Sequence, residues 1–461
     1  MSQSSSLNGQ RDLTSGNMFT TLISFSLPFL VANLLQALYG AVDLWVIGKF
    51  GGGSSGVAAV ANGGEVMHLV MSFVMGLTAG ATVLIGQAYG ASNKRMTRKS
   101  VGMTLTFSLV TGVAGTVVMV LISPWMVKML NTPLEAFELA IEYLSICSYG
   151  VAFIVIFNCF AAIFRGFGNS TMPLICIGGA CLCNIILDIV LVAFFNMGVR
   201  GAAIATIISQ GLSVLLSVIF FVRGDFGFRF AKANFQIVWN LVGKFIRIGV
   251  PIGVQSILIN LSFLFIVSIV NKMSGDNSAA SAGYGIVNRI NAFTMLPAMS
   301  FAAAISALTA QNIGAQKFKR ATDTLKMAVY ITMLLGMVFL ISMQCFPEFF
   351  IGLFIDRASA GADEVIRQGV LYARSFSVEY ILVPIVFCTN GFFIGSGHSL
   401  FSMVINLAST FLFRVPVSYF VSLMAGATLF HIGFAAPLAS FMSNIAALIF
   451  LFSGRWKKSV K

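Results

Sequence analysis

The sequence predicts an all-α membrane protein in which 12 transmembrane helices form two pseudo-symmetric six-helix bundles. Three observations predict it. Of the 461 residues, 58% are hydrophobic and only 9% are charged, whereas a water-soluble domain carries about 25% charged residues and could not bury so much apolar surface. The apolar residues fall into twelve runs with short polar breaks, each long enough for the roughly 20 residues that a spanning helix needs. Landmarks of the first six runs then recur in the last six.

The opening segment MSQSSSLNGQRDLTSGN is polar and lacks the basic-then-apolar order of a cleavable signal, so it is expected to be retained. Span 1 covers 18–48 and holds Pro28 and Asp43; span 2 covers 56–88 and ends in Gln87-Ala88-Tyr89-Gly90-Ala91; span 3 covers 97–122. Span 4, 138–163, is followed by Gly166-Phe167-Gly168-Asn169-Ser170, span 5, 171–195, carries Asn184 and Asp188, and span 6, 201–222, carries Thr206. The most polar connection, 223–241, separates an N-terminal bundle (1–222) from a C-terminal one (242–461). Spans 7 to 12 are 242–271, 281–312, 321–345, 368–395, 400–424 and 432–453. The longer runs must tilt or extend beyond the hydrocarbon.

Pro28 recurs as Pro251, Gln87 as Gln311 and Gly168 as Gly397, at offsets of 223, 224 and 229. Three matches in order point to an internal duplication. Each half has an even number of spans, so the repeat is parallel, an arrangement found in secondary transporters in which two bundles rock about a cleft. With the N-terminus inside, eighteen Lys and Arg fall on the cytoplasmic side, clustered at 94–99, 223–247, 317–320 and 455–461. Six fall opposite: Lys49, Lys128, Arg200, Lys272, Arg357 and Arg367. That bias follows the positive-inside rule and gives a multi-pass cell (inner) membrane protein with both termini cytoplasmic. It also accounts for the net charge of +13 without nucleic acid as a partner.

Four acids lie well inside the spans: Asp43, Glu65, Asp188 and Glu379. An acid at the bilayer centre costs about 2.5 to 3.5 kcal/mol on insertion scales, so such residues are functional candidates by default. Spans 1 and 5 run outward and span 6 inward, which puts Asp43, Asp188 and Thr206 at one depth. Asn184 precedes Asp188 by four residues and shares its helix face. Two carboxylates, an amide and a hydroxyl make an all-oxygen set suited to a hard cation such as Na+ or to a shared proton. Asn184 and Thr206 could equally tie helices together by hydrogen bonds. Glu65 and His68, three apart on span 2, suit substrate contact, proton relay or a pairing with Asn62; Glu379 suits substrate contact or an ion pair with Arg374 or Arg289. Arg414 has no acid in its own span.

The helix-1 run SLPFLVANLLQALYGAVDLWVIG, the GQAYGA and AQNIGA helix ends, FRGFGNSTMP and CNIILDIVLV resemble the multidrug and toxic compound extrusion (MATE) family over essentially the whole chain. They resemble in particular the branch with an acid on helix 1 (DinF-like). The resemblance implies the MATE fold and a cation-coupled antiporter, driven by Na+ or H+, that exports amphipathic, often cationic, organic compounds by alternating access. It assigns coupling to Asp43, Asn184, Asp188 and Thr206 and a helix-1 kink to Pro28. Another branch places coupling acids on helices 7 and 10. Here span 7 has none from Ile248 to Val270, and the repeat equivalent of Asp43 is Ile266.

The 22 Met and 44 Phe suit a pliable aromatic chamber, with Gln36, Tyr39, Met71, Met75, Gln255 and Asn260 as candidate contacts by position. The expected partners are drug-like small molecules and the bilayer, the expected state is a monomer, and no cofactor is expected beyond the coupling ion. No HExxH, GxSxG or GxxxxGK[ST] motif is present, which argues against an enzyme. The seven Cys sit in or beside apolar runs without metal or disulfide spacing. The alternative reading is a flippase for a lipid-linked precursor, which needs several cleft Arg or Lys where this chain offers Arg289, Arg374 and Arg414.

Overall fold

A computed structural model describes residues 12–130, 132–226, 235–236, 238–274, 278–357 and 361–457. Five residues of the charge bias, Arg11, Arg229, Lys232, Lys458 and Lys461, lie outside them, as does part of the 223–241 connection. Every regular element among the described residues is helical. The first half comprises α1 (Met18–Phe50), α2 (Gly53–Gly90), α3 (Lys94–Met129), α4 (Leu134–Tyr149), α5 (Val151–Gly166), α6 (Thr171–Asp188) and α7 (Gly198–Arg223). The second comprises α8 (Trp239–Ser274), α9 (Ser278–Gly314), α10 (Phe318–Cys345), α11 (Pro347–Gly352), α12 (Ala362–Phe376), α13 (Glu379–Gly395), α14 (Ser399–Ser409), α15 (Val415–Ser422), α16 (Leu429–Gly433) and α17 (Ala435–Phe452).

Among the described residues ten helices are long and apolar enough to span a membrane, and counting two bent pairs, α4 with α5 and α12 with α13, as one span each gives up to 12. The pairs bend by 47° and 52°, so spans 4 and 10 of the sequence are each two helices. The break of the first falls at Gly150 and that of the second at Ser377-Val378. At the second break the Ser377 hydroxyl donates to the Arg374 carbonyl and accepts from Gln344, at 2.9 and 2.8 Å. A hydroxyl that bonds its own backbone competes with the helical ladder and favours a bend.

The duplication is visible in local backbone geometry. Gly168 and Gly397 both have positive φ, +76° and +87°, and so do Ser92 and Gln316, +55° and +59°. After each, the next backbone N–H reaches back five residues: Asn93 to Ala88, Lys317 to Asn312, Asn169 to Phe164 and His398 to Phe393. These are helix ends closed through a left-handed residue, and they occur at the sequence offsets of the repeat. Spans 5 and 11 share a second irregularity. Each contains a π-helical stretch, Ile189–Phe194 after α6 and Thr410–Arg414 after α14.

The chain packs as two units, Met1–Gly253 with Ala310–Lys317, and Val254–Thr309 with Phe318–Lys461. In the first, α2 lies against α4 and α5, and α6 against α1 and α7. In the second, α13 packs on α10 and α17, and α12 on α16. The crossings use small residues, as membrane helices do when close approach replaces hydrophobic driving force. Thr82 of α2 donates to Ala162 O of α5 at 3.3 Å. In the other unit, a methyl on Gly391 of α13 would stand 2.3 Å from Ala302 O of α9, and one on Gly395 would stand 2.4 Å from Ser306 O.

The outer faces are apolar. Along α3, Val110, Val113, Val117, Leu121 and Trp125 recur at helical spacing and are all more than half exposed. A soluble monomer rarely exposes so continuous a stripe; on a multi-span membrane protein it is the lipid-facing side.

Candidate functional site

The first unit gathers the predicted oxygen set. Asp43 sits near the C-terminal end of α1, Asn184 and Asp188 one turn apart at the C-terminal end of α6, and Thr206 on α7. All four are buried, Asp188 completely. α1 packs against α6 and α7, and Asp43 is near enough to Asp188 for their charges to interact. Tyr39, one turn before Asp43, places its hydroxyl 3.1 Å from Thr206 Oγ1. The polar atoms of the rest are left over. Asp43 Oδ1, both carboxyl oxygens of Asp188 and both amide atoms of Asn184 are buried with no hydrogen-bond partner among the described residues. Each such orphan costs about 1–3 kcal/mol, and native proteins keep few of them without a functional reason.

Two neighbours were not singled out from the sequence. Tyr143 and Cys147, four apart on α4, are electrostatic neighbours of Asp43, and a methyl on Gly63 of α2 would come 2.6 Å from the Tyr143 ring. The i, i+4 spacing of a buried Tyr and Cys was the available signal, but nothing in the sequence set α4 beside α1. Among the described residues no group of three or more His, Cys, Asp or Glu is poised to hold a metal. The buried polar side chains here are two carboxylates, an amide and a hydroxyl, all of which offer oxygen atoms.

The other candidates lie elsewhere. Glu65 and His68 are exposed on α2, so Glu65 is not a buried acid, and Asn62 instead donates to Thr132 at 3.4 Å. On the same exposed side Met75 is 41% accessible, while Gln36 and Met71 are half-buried. In the second unit Gln255 carries a buried, unpartnered Oε1, and Asn260 is half-buried. Glu379, first residue of α13 after the bend, accepts from Ser440 Oγ of α17 at 2.6 Å. Neither Arg374 nor Arg289 comes within 4.0 Å of it, the described ion pairs being Arg200–Glu142 and Arg367–Glu364. The cation whose charge reaches Glu379 is Arg414. Pro28 lies inside a continuous α1.

The MatE family pattern matches residues 28–190 and 251–420, the greater part of the chain and once in each half. The chain belongs to the MATE family. The two matched stretches begin at Pro28 and at Pro251, the first pair of the internal repeat. The probable multidrug resistance protein YoeA of Bacillus subtilis is 27% identical to this MATE chain over 449 residues, covering 96% of the chain and 95% of the relative. The multidrug export protein MepA of Staphylococcus aureus is 26% identical over 71% of each. Among solved structures, a MATE in complex with MaL6 superposes with a TM-score of 0.87 at 23% identity over 98% of both chains. An outward-facing multidrug resistance MATE transporter of the MOP superfamily does so with 0.87 at 22% over 98% of both. At those identities the structures establish the fold.

Proposed function

We propose that this MATE protein is a cation-coupled antiporter that exports amphipathic, often cationic, organic compounds, with Na+ or H+ bound at Asp43, Asn184, Asp188 and Thr206. It works as a monomer in the cell membrane with both termini cytoplasmic. The observation that carries this reading is the group of orphaned oxygens on Asp43, Asp188 and Asn184, buried in one unit without protein partners. Two carboxylates in a site closed to water satisfy each other poorly and a cation well. The names of the relatives, multidrug resistance and multidrug export proteins, agree with organic compounds as the cargo.

Coupling then follows from linkage. An ion that changes the affinity for cargo by a coupling free energy of about 1–3 kcal/mol shifts it roughly 5- to 150-fold, and the cargo shifts ion affinity by the same factor. Pro28, which removes one backbone hydrogen bond within α1, is the place where that helix can bend as Asp43 loads and unloads.

The test is ethidium transport in proteoliposomes with a sodium gradient or a pH gradient imposed separately. One gradient drives concentrative transport and the other does not; transport indifferent to both would overturn the coupling. Thr206→Val gives a graded check. Losing its contact with Tyr39 removes a hydrogen bond worth about 0.5–1.5 kcal/mol, and the hydroxyl itself leaves the cation, so the cation concentration for half-maximal export rises by at least about two- to tenfold, while Tyr39→Phe, which keeps that hydroxyl, gives a smaller shift.

A further inference from the structure

The π-helical stretches place a membrane-depth charge of opposite sign in each half. In the first, Asp188 immediately precedes Ile189–Phe194; in the second, Thr410–Arg414 ends on Arg414. π-Bulges inside α-helices concentrate at functional sites. Pro416, two residues on, lacks the N–H that would continue the ladder.

Arg414 is poorly compensated. Its guanidinium carbon lies 4.4 Å over the Phe263 ring of α8. Among the described residues no carboxylate approaches within 4.0 Å. Glu379, whose charge it feels, is turned toward Ser440. Arginine stays protonated in proteins, and an Arg inside a spanning segment is costly unless paired. A cation–π contact returns only part of that cost. The planar fork above an aromatic face still offers its N–H edge, and that edge matches a carboxylate in bidentate geometry. Phe263 is 36% exposed, while Tyr284 and Tyr372, both electrostatic neighbours of Arg414, are buried and stack edge to face in the core of the unit, with ring centres 4.9 Å apart.

We propose that Arg414 on Phe263 is an anion subsite that holds the carboxylate of an aromatic, zwitterionic cargo. The inference rests on the transport reading and narrows its cargo.

The experiment measures fluorescence polarisation of a rhodamine bearing a free carboxyl, and of its methyl ester, bound to purified protein in nanodiscs. The wild type binds the acid about tenfold more tightly than the ester. Arg414→Gln erases that preference while ester affinity stays within about twofold, which also shows that the variant is folded; Arg414→Lys, a point charge without the fork, keeps part of it. In the wild type, benzoate displaces the acid and leaves the ester bound. Glu379→Gln keeps the preference. A wild type that does not distinguish the two dyes, an Arg414→Gln protein that still does, or a Glu379→Gln protein that discriminates far more sharply than the wild type would each overturn the subsite, the last by making Arg414 the counter-ion of Glu379. Gradient-driven export of the ester reads the transport function separately, so loss of one result leaves the other standing.

Discussion

Asp188→Asn abolishes ion-driven export while the protein still inserts and purifies as a folded species. Asp188 is completely buried and neither carboxyl oxygen has a hydrogen-bond partner among the described residues, so the fold gains little from its charge that an amide of equal size would take away. The coupling ion loses much more. Removing one partner of a buried charged pair costs about 3–5 kcal/mol, or about two to four orders of magnitude in affinity. Asp43→Asn has the same sign and a similar size. Glu65→Gln is the control: that acid is exposed on α2 rather than buried like Asp43, and export stays within about twofold. Ethidium efflux from cells expressing each variant, normalised to membrane-inserted protein, checks the set. Wild-type efflux from Asp188→Asn cells removes the carboxylates from the mechanism.

A second large effect concerns folding alone. Gly336 of α10 faces α13 so closely that an added methyl would stand 1.9 Å from Tyr380 O, well inside van der Waals contact. The neighbour is a backbone carbonyl that cannot rotate away. Its residue is also fixed by a 2.5 Å hydrogen bond from the Tyr380 hydroxyl to Asn291 Oδ1. Gly336→Ala must therefore push the two helices apart. Overpacking costs typically about 1–3 kcal/mol and sometimes more, so the melting temperature in detergent falls by a few degrees, about 2–6 °C. Gly243→Ala on α8, where a methyl meets nothing within 4 Å, melts with the wild type. Equal melting of the two variants would mean that α10 and α13 are not held this tightly.

Much of this was legible in the sequence because the bilayer imposes simple rules. Apolar runs of spanning length must become helices, since no other open structure satisfies the backbone in lipid, and the twelve runs correspond to ten long helices and two bent pairs. The repeat was legible because glycines and helix ends recur at fixed offsets, and the same residues carry the positive φ values. The Asp43, Asn184, Asp188 and Thr206 group was visible because polar residues at membrane depth are rare and an i, i+4 pair shares a helix face.

The remainder depended on which helix faces meet. Glu65 and Asp43 look alike as acids in apolar runs, yet one is exposed on α2 and the other is buried where α1 packs on α6 and α7. Glu379 found Ser440, sixty-one residues away on α17, rather than Arg374, five residues before it on the other side of the bend between α12 and α13. Tyr143 and Cys147 joined the site only through the packing around α4. The sequence determined the number of spans, the duplication and the chemical inventory, because those follow from local composition and the membrane solvent. Tertiary structure alone decided which charges are paired, which are orphaned and which stand on an aromatic ring, because those depend on helix rotation and on breaks such as the π segments that sequence periodicity does not fix.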